Sequence, residues 1–283
     1  MFATAQIWRF GRREFNLSDT PCVMGILNLT PDSFSDGSRY DSVNAAVDAA
    51  LQMEADGADI IDIGGESTRP GAPPVTATEE LDRVMPVIER LIGRVTVPIS
   101  IDTWKASVAS TVLSAGVEIV NDISAMGFDP LMTGVLAGSS AGIVLMHTRG
   151  RPGNMQDNTD YGDIVSEVAE SLQVAIDAAV LAGISKERIV VDPGIGFGKS
   201  THGNLEIIRR LGEFAKLDRP LLIGTSRKSF IGKVLGRGVY ERIFGTTASV
   251  AVAMMNGASL FRVHDVRAVR DTVDMVRAIK LSG

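Results

Sequence analysis

Eight short apolar runs of this chain end in polar or charged residues, and the residues that end them fall into two chemical sets. Asp102, Asn121 and Asp192 offer carboxylate and amide oxygens, whereas Arg69, Arg262, His264 and Asn28 offer mostly N–H donors. The acceptors suit a neutral ligand rich in N–H groups, because a carboxylate can take two parallel N–H bonds from an amidine-like edge. The donors suit phosphate or pyrophosphate. Arg262 and His264 are two residues apart, so on a strand they share one side. Lys228 follows a run and opens a helical pattern, where backbone N–H groups favour an anion. Glycines 64, 65 and 71 surround Thr68 and Arg69 and let the chain approach a ligand there. Burying Asp or Asn unpaired is costly. Any one of these residues reads equally well as a cap for the next helix, but the set converging on one mouth does not.

Other chemistries have weaker support. The histidines at 147, 202 and 264 have no HExxH pattern or close pairing, which argues against zinc. Magnesium held by one protein oxygen plus pyrophosphate oxygens fits better, since Mg²⁺ keeps waters and uses substrate phosphates. Residues 194–199 (GIGFGK) lack the spacing of a Walker A loop. Phe197 in that run either faces the mouth or packs within its loop. Cys22 opens an apolar run and reads as a small buried hydrophobe rather than a nucleophile.

These residues need a scaffold that brings strand ends together. The runs lie at 23–29, 59–63, 98–102, 118–123, 142–147, 188–192, 220–225 and 259–264. Near-continuous Val, Ile and Leu marks strands buried on both faces, as in parallel sheets. Amphipathic helical patterns lie between them, at 42–56, at 163–182 before Gly183, and at 271–279. Strand then helix, eight times, predicts a closed (β/α)₈ TIM barrel, whose chemistry sits at the C-terminal strand ends. An open doubly wound sheet is the competing fold, but Asn28-Leu29-Thr30-Pro31-Asp32 after the first strand is no glycine fingerprint. Residues 6–18 alternate around Gly11 and read as a hairpin. The expected organisation is thus an N-terminal β-hairpin segment, 1–20, and one barrel domain, 21–283.

Composition agrees. The chain has 283 residues, 45% apolar, enough to bury a full core. Its 29 glycines follow no three-residue period, which excludes collagen. A net charge of −6 argues against a nucleic-acid binder or a polybasic membrane binder. One cysteine cannot form an intrachain disulfide, so a reducing, cytoplasmic location is expected. The uncharged stretches 130–148 and 243–261 are broken by small and polar residues, and each reads as helix, glycine turn and strand rather than a membrane span.

The segments MGILNLTPDSFSDG (24–37) and IDIGGESTRPG (61–71) resemble the two signature segments of the dihydropteroate synthases. The resemblance continues through ISIDTWK, NDIS, VLMH, VDPGIGFGK, GTSRKSFIG and RVHDV, in order, at every strand end. It implies a TIM barrel of folate biosynthesis that joins 6-hydroxymethyl-7,8-dihydropterin pyrophosphate to 4-aminobenzoate. It also implies Mg²⁺, a homodimer and inhibition by sulfonamides. Position by position, it implies that Asp102, Asn121, Met146, Asp192 and Lys228 hold the pterin. Asn28, Thr68, Arg69, Arg262 and His264 would hold the pyrophosphate, with Asn28 also on the metal. Thr68, Pro70, Phe197 and Ser229 would hold the aminobenzoate, and Asp36 would help organise the closed site. Lys228, Arg69, Arg262, His264 and Asp36 form the catalytic set in this reading. The loop after the fifth strand, MHTRGRPGNMQ, is given no role. Two alternatives share the pterin acceptors. A pterin-dependent methyltransferase of the same superfamily has no need for the cation pairs, and a non-catalytic pterin-binding protein would not need Lys228.

Overall fold

The computed structural model describes residues 6–30, 39–69 and 71–282. Asp36 and Pro70 lie outside the described residues. The hairpin comes first, with β1 (Ile7–Phe10) antiparallel to β2 (Arg13–Asn16). Eight parallel strands follow: β3 (Cys22–Asn28), β4 (Ile60–Gly64), β5 (Ile99–Asp102), β6 (Ile119–Asp122), β7 (Gly142–Met146), β8 (Ile189–Asp192), β9 (Leu222–Ile223) and β10 (Leu260–Val263). They are ordered β8-β7-β6-β5-β4-β3-β10-β9. The ring closes where the Val191 amide donates to the Pro220 carbonyl at 3.0 Å, beside a single parallel bridge from Val191 to Leu221. The eight-strand barrel expected from the sequence is therefore what forms. Strand β9 is shorter than its apolar run, because it meets β8 through that one bridge.

The outer layer is α1 (Arg39–Ala55), α2 (Ala77–Leu91), α3 (Ala106–Ala115), α4 (Met132–Ala137), α5 (Ile164–Leu181), α6 (Thr201–Arg209), α7 (Ser229–Leu235), α8 (Ile243–Met255) and α9 (Val266–Leu281). Local chemistry fixes several ends. Thr76 and Glu79 form a reciprocal capping box at the start of α2, stabilising it by about 1 kcal/mol. Asp163 caps α5, and Gly183 follows its end at φ +92°. Helix α9 starts earlier than the acidic Asp271 implies. Its buried stripe of Val266, Val269, Val273 and Val276 begins directly after β10, and that stripe rather than the charge sets the boundary. Among the described residues, no helix is long and apolar enough to cross a membrane.

The period of two along each strand divides the core in two. Outward-facing residues such as Val23, Ile61, Ile101, Val120, Ile143, Val191 and Phe261 pack under the helices. Inward-facing Met24, Ile60, Ile119, Val144, Val190, Leu222 and Leu260 fill the barrel as one apolar layer. Trp8, Phe10 and Leu17 of the hairpin join this layer from below and seal that end. The Trp8 indole N–H finds its acceptor in the Arg188 carbonyl at 2.8 Å. Cys22 is buried in the same layer. One inward step further along the strands, above the apolar layer, the side chains become polar.

Candidate active site

Two residues beyond the apolar layer, the strands present Asp62 (β4), Asp102 (β5), Asn121 (β6), Met146 (β7), Asp192 (β8) and Arg262 (β10) to the barrel interior. Asn28 ends β3 in the same ring, and His264 follows β10. The register sets this row: Asn28 pairs with Gly64, Gly64 with Asp102, and Asp102 with Asn121. A Cβ on Gly64 would lie 3.6 Å from Asn28 Oδ1 and 3.8 Å from Asp102 Oδ2, so the two oxygens flank the same bare backbone.

Arg262 is the hub. Its Nε donates to Asp62 Oδ2 at 2.5 Å and its Nη2 to Asp102 Oδ2 at 2.6 Å. Asn121 Nδ2 also donates to Asp62 Oδ2, at 3.1 Å. Burial opposes the Arg262 charge, but Asp62 and Asp102 outweigh it and raise the group further. Burial raises the Asp102 carboxyl to about 7 against the pull of Arg262. Asp62 is fully buried and its Oδ1 has no hydrogen-bond partner. Asp62 is a site residue to which the sequence alone assigns no role. The signal was an Asp inside the run IIDIG, two residues before the glycines.

Asp192 differs because, among the described residues, no arginine or lysine pairs with it directly. Its Oδ1 accepts the Gly194 amide at 2.7 Å, and burial raises it to about 6. Gly194 sits at φ +71°, and a Cβ there would collide with the His147 carbonyl oxygen, so only glycine lets the loop turn back onto Asp192.

Lys228 is not the first residue of α7 but its N-cap, in extended conformation. Its ammonium lies 4.2 Å from the centre of the Phe197 ring, a cation–π contact. Burial and Arg262 lower Lys228 to about 8, with Asp192 and Asp102 opposing. Phe197 is buried, packed with Ile123, Met146 and Met155 rather than standing open at the mouth. Ser229 is exposed at the first turn of α7. His264 Nδ1 lies 3.0 Å from Ser226 Oγ, which also accepts the His264 amide. Burial, with Arg262 and Arg227 nearby, lowers His264 to about 3, so its ring is neutral near pH 7. Thr68 is half-buried on the β4–α2 loop, and Arg69 is exposed with no ion pair among the described residues.

The loop after the fifth barrel strand, given no role from sequence, spans the mouth. The Gly71 amide donates to the Pro152 carbonyl at 3.2 Å, and Gln156 Nε2 donates to the Gly196 carbonyl at 2.9 Å. Arg151 stacks on both Trp104 and Phe128, 4.8 and 4.5 Å from their ring centres. Beneath it, Lys199 donates to the Phe197 carbonyl at 2.8 Å and meets His147 Nδ1 at 2.9 Å. The sequence could not show most of these contacts, because all but the bond from Lys199 to the Phe197 carbonyl join residues on different barrel loops.

The arrangement is an acceptor-lined pocket with a cationic rim. It can orient a flat heterocycle with N–H groups and hold an anion above it. Known proteins share the fold and much of the sequence. Residues 24–264 match the pterin binding enzyme family. The chain is 46% identical over 270 residues to the dihydropteroate synthase of Synechocystis sp., covering 95% of this chain and 93% of that one. It superposes on Xanthomonas albilineans dihydropteroate synthase with 4-aminobenzoic acid with a TM-score of 0.92, 42% identity and 99% and 100% of the two chains covered. A Yersinia pestis dihydropteroate synthase in a sulfonamide drug complex gives a TM-score of 0.91 and 40% identity, over 98% and 100% of the chains.

Proposed function

Because the chain belongs to the pterin binding enzyme family, among its dihydropteroate synthases, we propose that it condenses 6-hydroxymethyl-7,8-dihydropterin pyrophosphate with 4-aminobenzoate, giving 7,8-dihydropteroate and pyrophosphate. The observation that carries this reading is the inward ring in which Asp102, Asn121 and Asp192 adjoin Arg262 and His264. The acceptors suit the N–H edge of a pterin, and the donors suit its pyrophosphate.

The chemistry follows from those parts. Asp192, Asp102 and Asn121 accept the pterin N–H groups, and Met146 lines the ring's pocket. Arg262, His264, Arg69, Thr68 and Asn28 surround the pyrophosphate. The C–O bond at the pterin methylene breaks and the electron pair leaves with the pyrophosphate, whose charge these donors meet. The dihydropterin ring delocalises the positive charge left on the carbon, a dissociative, SN1-like course. The aniline nitrogen then forms the new C–N bond and gives up a proton. Thr68, Phe197, Ser229 and Pro70 hold the aminobenzoate, with Lys228 over Phe197 between the two substrates. Asp36 and Pro70 keep the roles that the family resemblance implies. No side chain needs to act as a nucleophile.

Mg²⁺ fits the donors present. Among the described residues no three His, Cys, Asp or Glu side chains cluster into a protein cage. Asn28 Oδ1 is instead a single hard oxygen, suited to an ion that draws its other ligands from water and pyrophosphate. Bound there, it would neutralise charge on the leaving group.

We also infer a homodimer. Helix α8 carries no charged residue, yet Phe244 is 82% exposed, and Val252 and Met255 share its face. Met275 and Ile279 extend that apolar strip on α9. The buried free thiol of Cys22 agrees with a reducing, cytoplasmic setting. Sulfonamides, as aminobenzoate mimics, would bind beside Phe197.

A pyrophosphate-release assay tests the activity. Release that requires both dihydropterin pyrophosphate and 4-aminobenzoate is expected. Methyl transfer without pyrophosphate, or pterin binding without turnover, would replace this reading with one of the two alternatives.

A further inference from the structure

The β4–α2 loop, which carries Thr68 and Arg69, is held from behind by a buried ion triad. Three residues before Arg69, Glu66 accepts from Lys105 Nζ through Oε2 at 2.5 Å. Its Oε1 accepts the Val75 amide at 3.2 Å, at the far end of the same loop. Lys105 Nζ also donates to Glu80 Oε2 at 2.5 Å, in the first turn of α2. Lys105 is 7% exposed and Glu80 fully buried. Arg83 Nη1 adds a bond to the Gly65 carbonyl at 2.8 Å. Lys105 lies three residues after Asp102, on the loop that leaves β5.

Two carboxylates against one ammonium is an expensive arrangement to bury, and an apolar filling of the same volume would commonly be as stable or more so. Among the described residues Glu80 Oε1 meets no hydrogen-bond partner in good geometry, and the neighbouring Thr103 hydroxyl only partly offsets the burial that raises this carboxyl. Stability alone does not account for such a group, whereas geometry does. Lys105, three residues after Asp102, joins Glu66 near the start of the loop to Glu80 in the helix that follows it, and Glu66 in turn holds Val75 near the loop's end.

We propose that Glu66, Lys105 and Glu80 are positioning residues that fix Thr68 and Arg69 relative to the Asp102 pocket. The proposal rests on the assignment of Arg69 to the pyrophosphate given above. The triad touches neither substrate; it sets where the arm bearing Arg69 leaves the barrel.

A double-mutant cycle of E66A and R69A tests this, with kcat/KM for dihydropterin pyrophosphate, thermal midpoint, and affinity for 6-hydroxymethylpterin, which lacks pyrophosphate, as readouts. E66A is expected to lower kcat/KM about tenfold in the parent and little in the R69A background, the signature of residues acting as one unit. Affinity for 6-hydroxymethylpterin should stay within about twofold, because the ring pocket is untouched. E66Q, which keeps the shape and one acceptor, should recover part of the loss. Should E66A not fold, E66Q carries the same cycle. An equal loss in both backgrounds, or a loss that tracks hydroxymethylpterin affinity and thermal midpoint, overturns the proposal alone. A silent R69A overturns the Arg69 assignment and the proposal with it.

Discussion

Arg262 Nη2 donates to Asp102 Oδ2 at 2.6 Å, so a proposed pyrophosphate cation is held by a proposed pterin carboxylate. With Asp62 on Nε, the guanidinium is oriented before any ligand arrives. Preorganised charge is worth most when no reorganisation is needed at the moment of reaction. R262A should therefore lower kcat/KM by about 3 kcal/mol or more, over a hundredfold. R262K should recover little, because one ammonium cannot reproduce the two-armed fork. Steady-state kinetics within threefold of the parent for R262A would remove Arg262 from this role.

The pH dependence follows from three groups. Asp192, raised to about 6 by burial, accepts N–H bonds best when ionised. Lys228, lowered to about 8 by burial and Arg262, carries its charge only below that value. With Asp102, raised to about 7, as a second pterin acceptor, a plot of kcat/KM, which reports the free enzyme, should rise through about pH 6 to 7 and fall above about pH 8. K228R should move the alkaline limb upward and leave the acidic limb in place. A profile flat from pH 5 to pH 9 would contradict these assignments.

The same carboxyl should cost the fold. Asp192 has a folded pKa of about 6 against an ordinary 3.8, so any ionised fraction is penalised on burial. The penalty is absent below about pH 4 and full above about pH 6, where it reaches the order of 3 kcal/mol. D192N should then raise the thermal midpoint at pH 8 by several degrees, at roughly 2–4 °C per kcal/mol, and change it little at pH 4. Pterin affinity should fall in the same variant. Calorimetry showing equal shifts at both pH values would refute the linkage.

Sulfonamide sensitivity is expected to be ordinary. The Phe197 ring is pinned between Lys228 and the Met146–Met155 cluster. Sulfamethoxazole should inhibit turnover at low 4-aminobenzoate, and added 4-aminobenzoate should relieve it. Turnover unaffected by millimolar drug would exclude that mode of binding.

Much of this was legible in the sequence, for a physical reason. Parallel barrel strands are buried on both faces, so each appears as an apolar run, and a polar residue at its end is conspicuous. Asp102, Asn121, Asp192, Arg262 and His264 were found that way. Near-continuous Val, Ile and Leu hides the alternation, however, so the side that Asp62 faces could not be read from its neighbours. The Glu66–Lys105–Glu80 triad was missed because its members come from two loops and a helix, each ordinary alone. Phe197 sits among glycines, which signal loop freedom, yet contacts from three other loops bury it.

W8A should test the opposite end of the barrel. Trp8 is fully buried and its indole N–H is bonded to the Arg188 carbonyl. Replacing it should cost about 3–5 kcal/mol in chemical denaturation, with kcat of the folded fraction unchanged. A loss of kcat at full folding would mean that the hairpin communicates with the mouth.

That contact also orders events during synthesis. Trp8 is made 180 positions before its acceptor at Arg188, and the strand that pairs with Cys22 begins only at Leu260. Contacts of such sequence separation form late and slow folding. A nascent chain must therefore carry an exposed indole and an open sheet edge while the intervening strands are made, which disfavours folding in N-terminal-first stages.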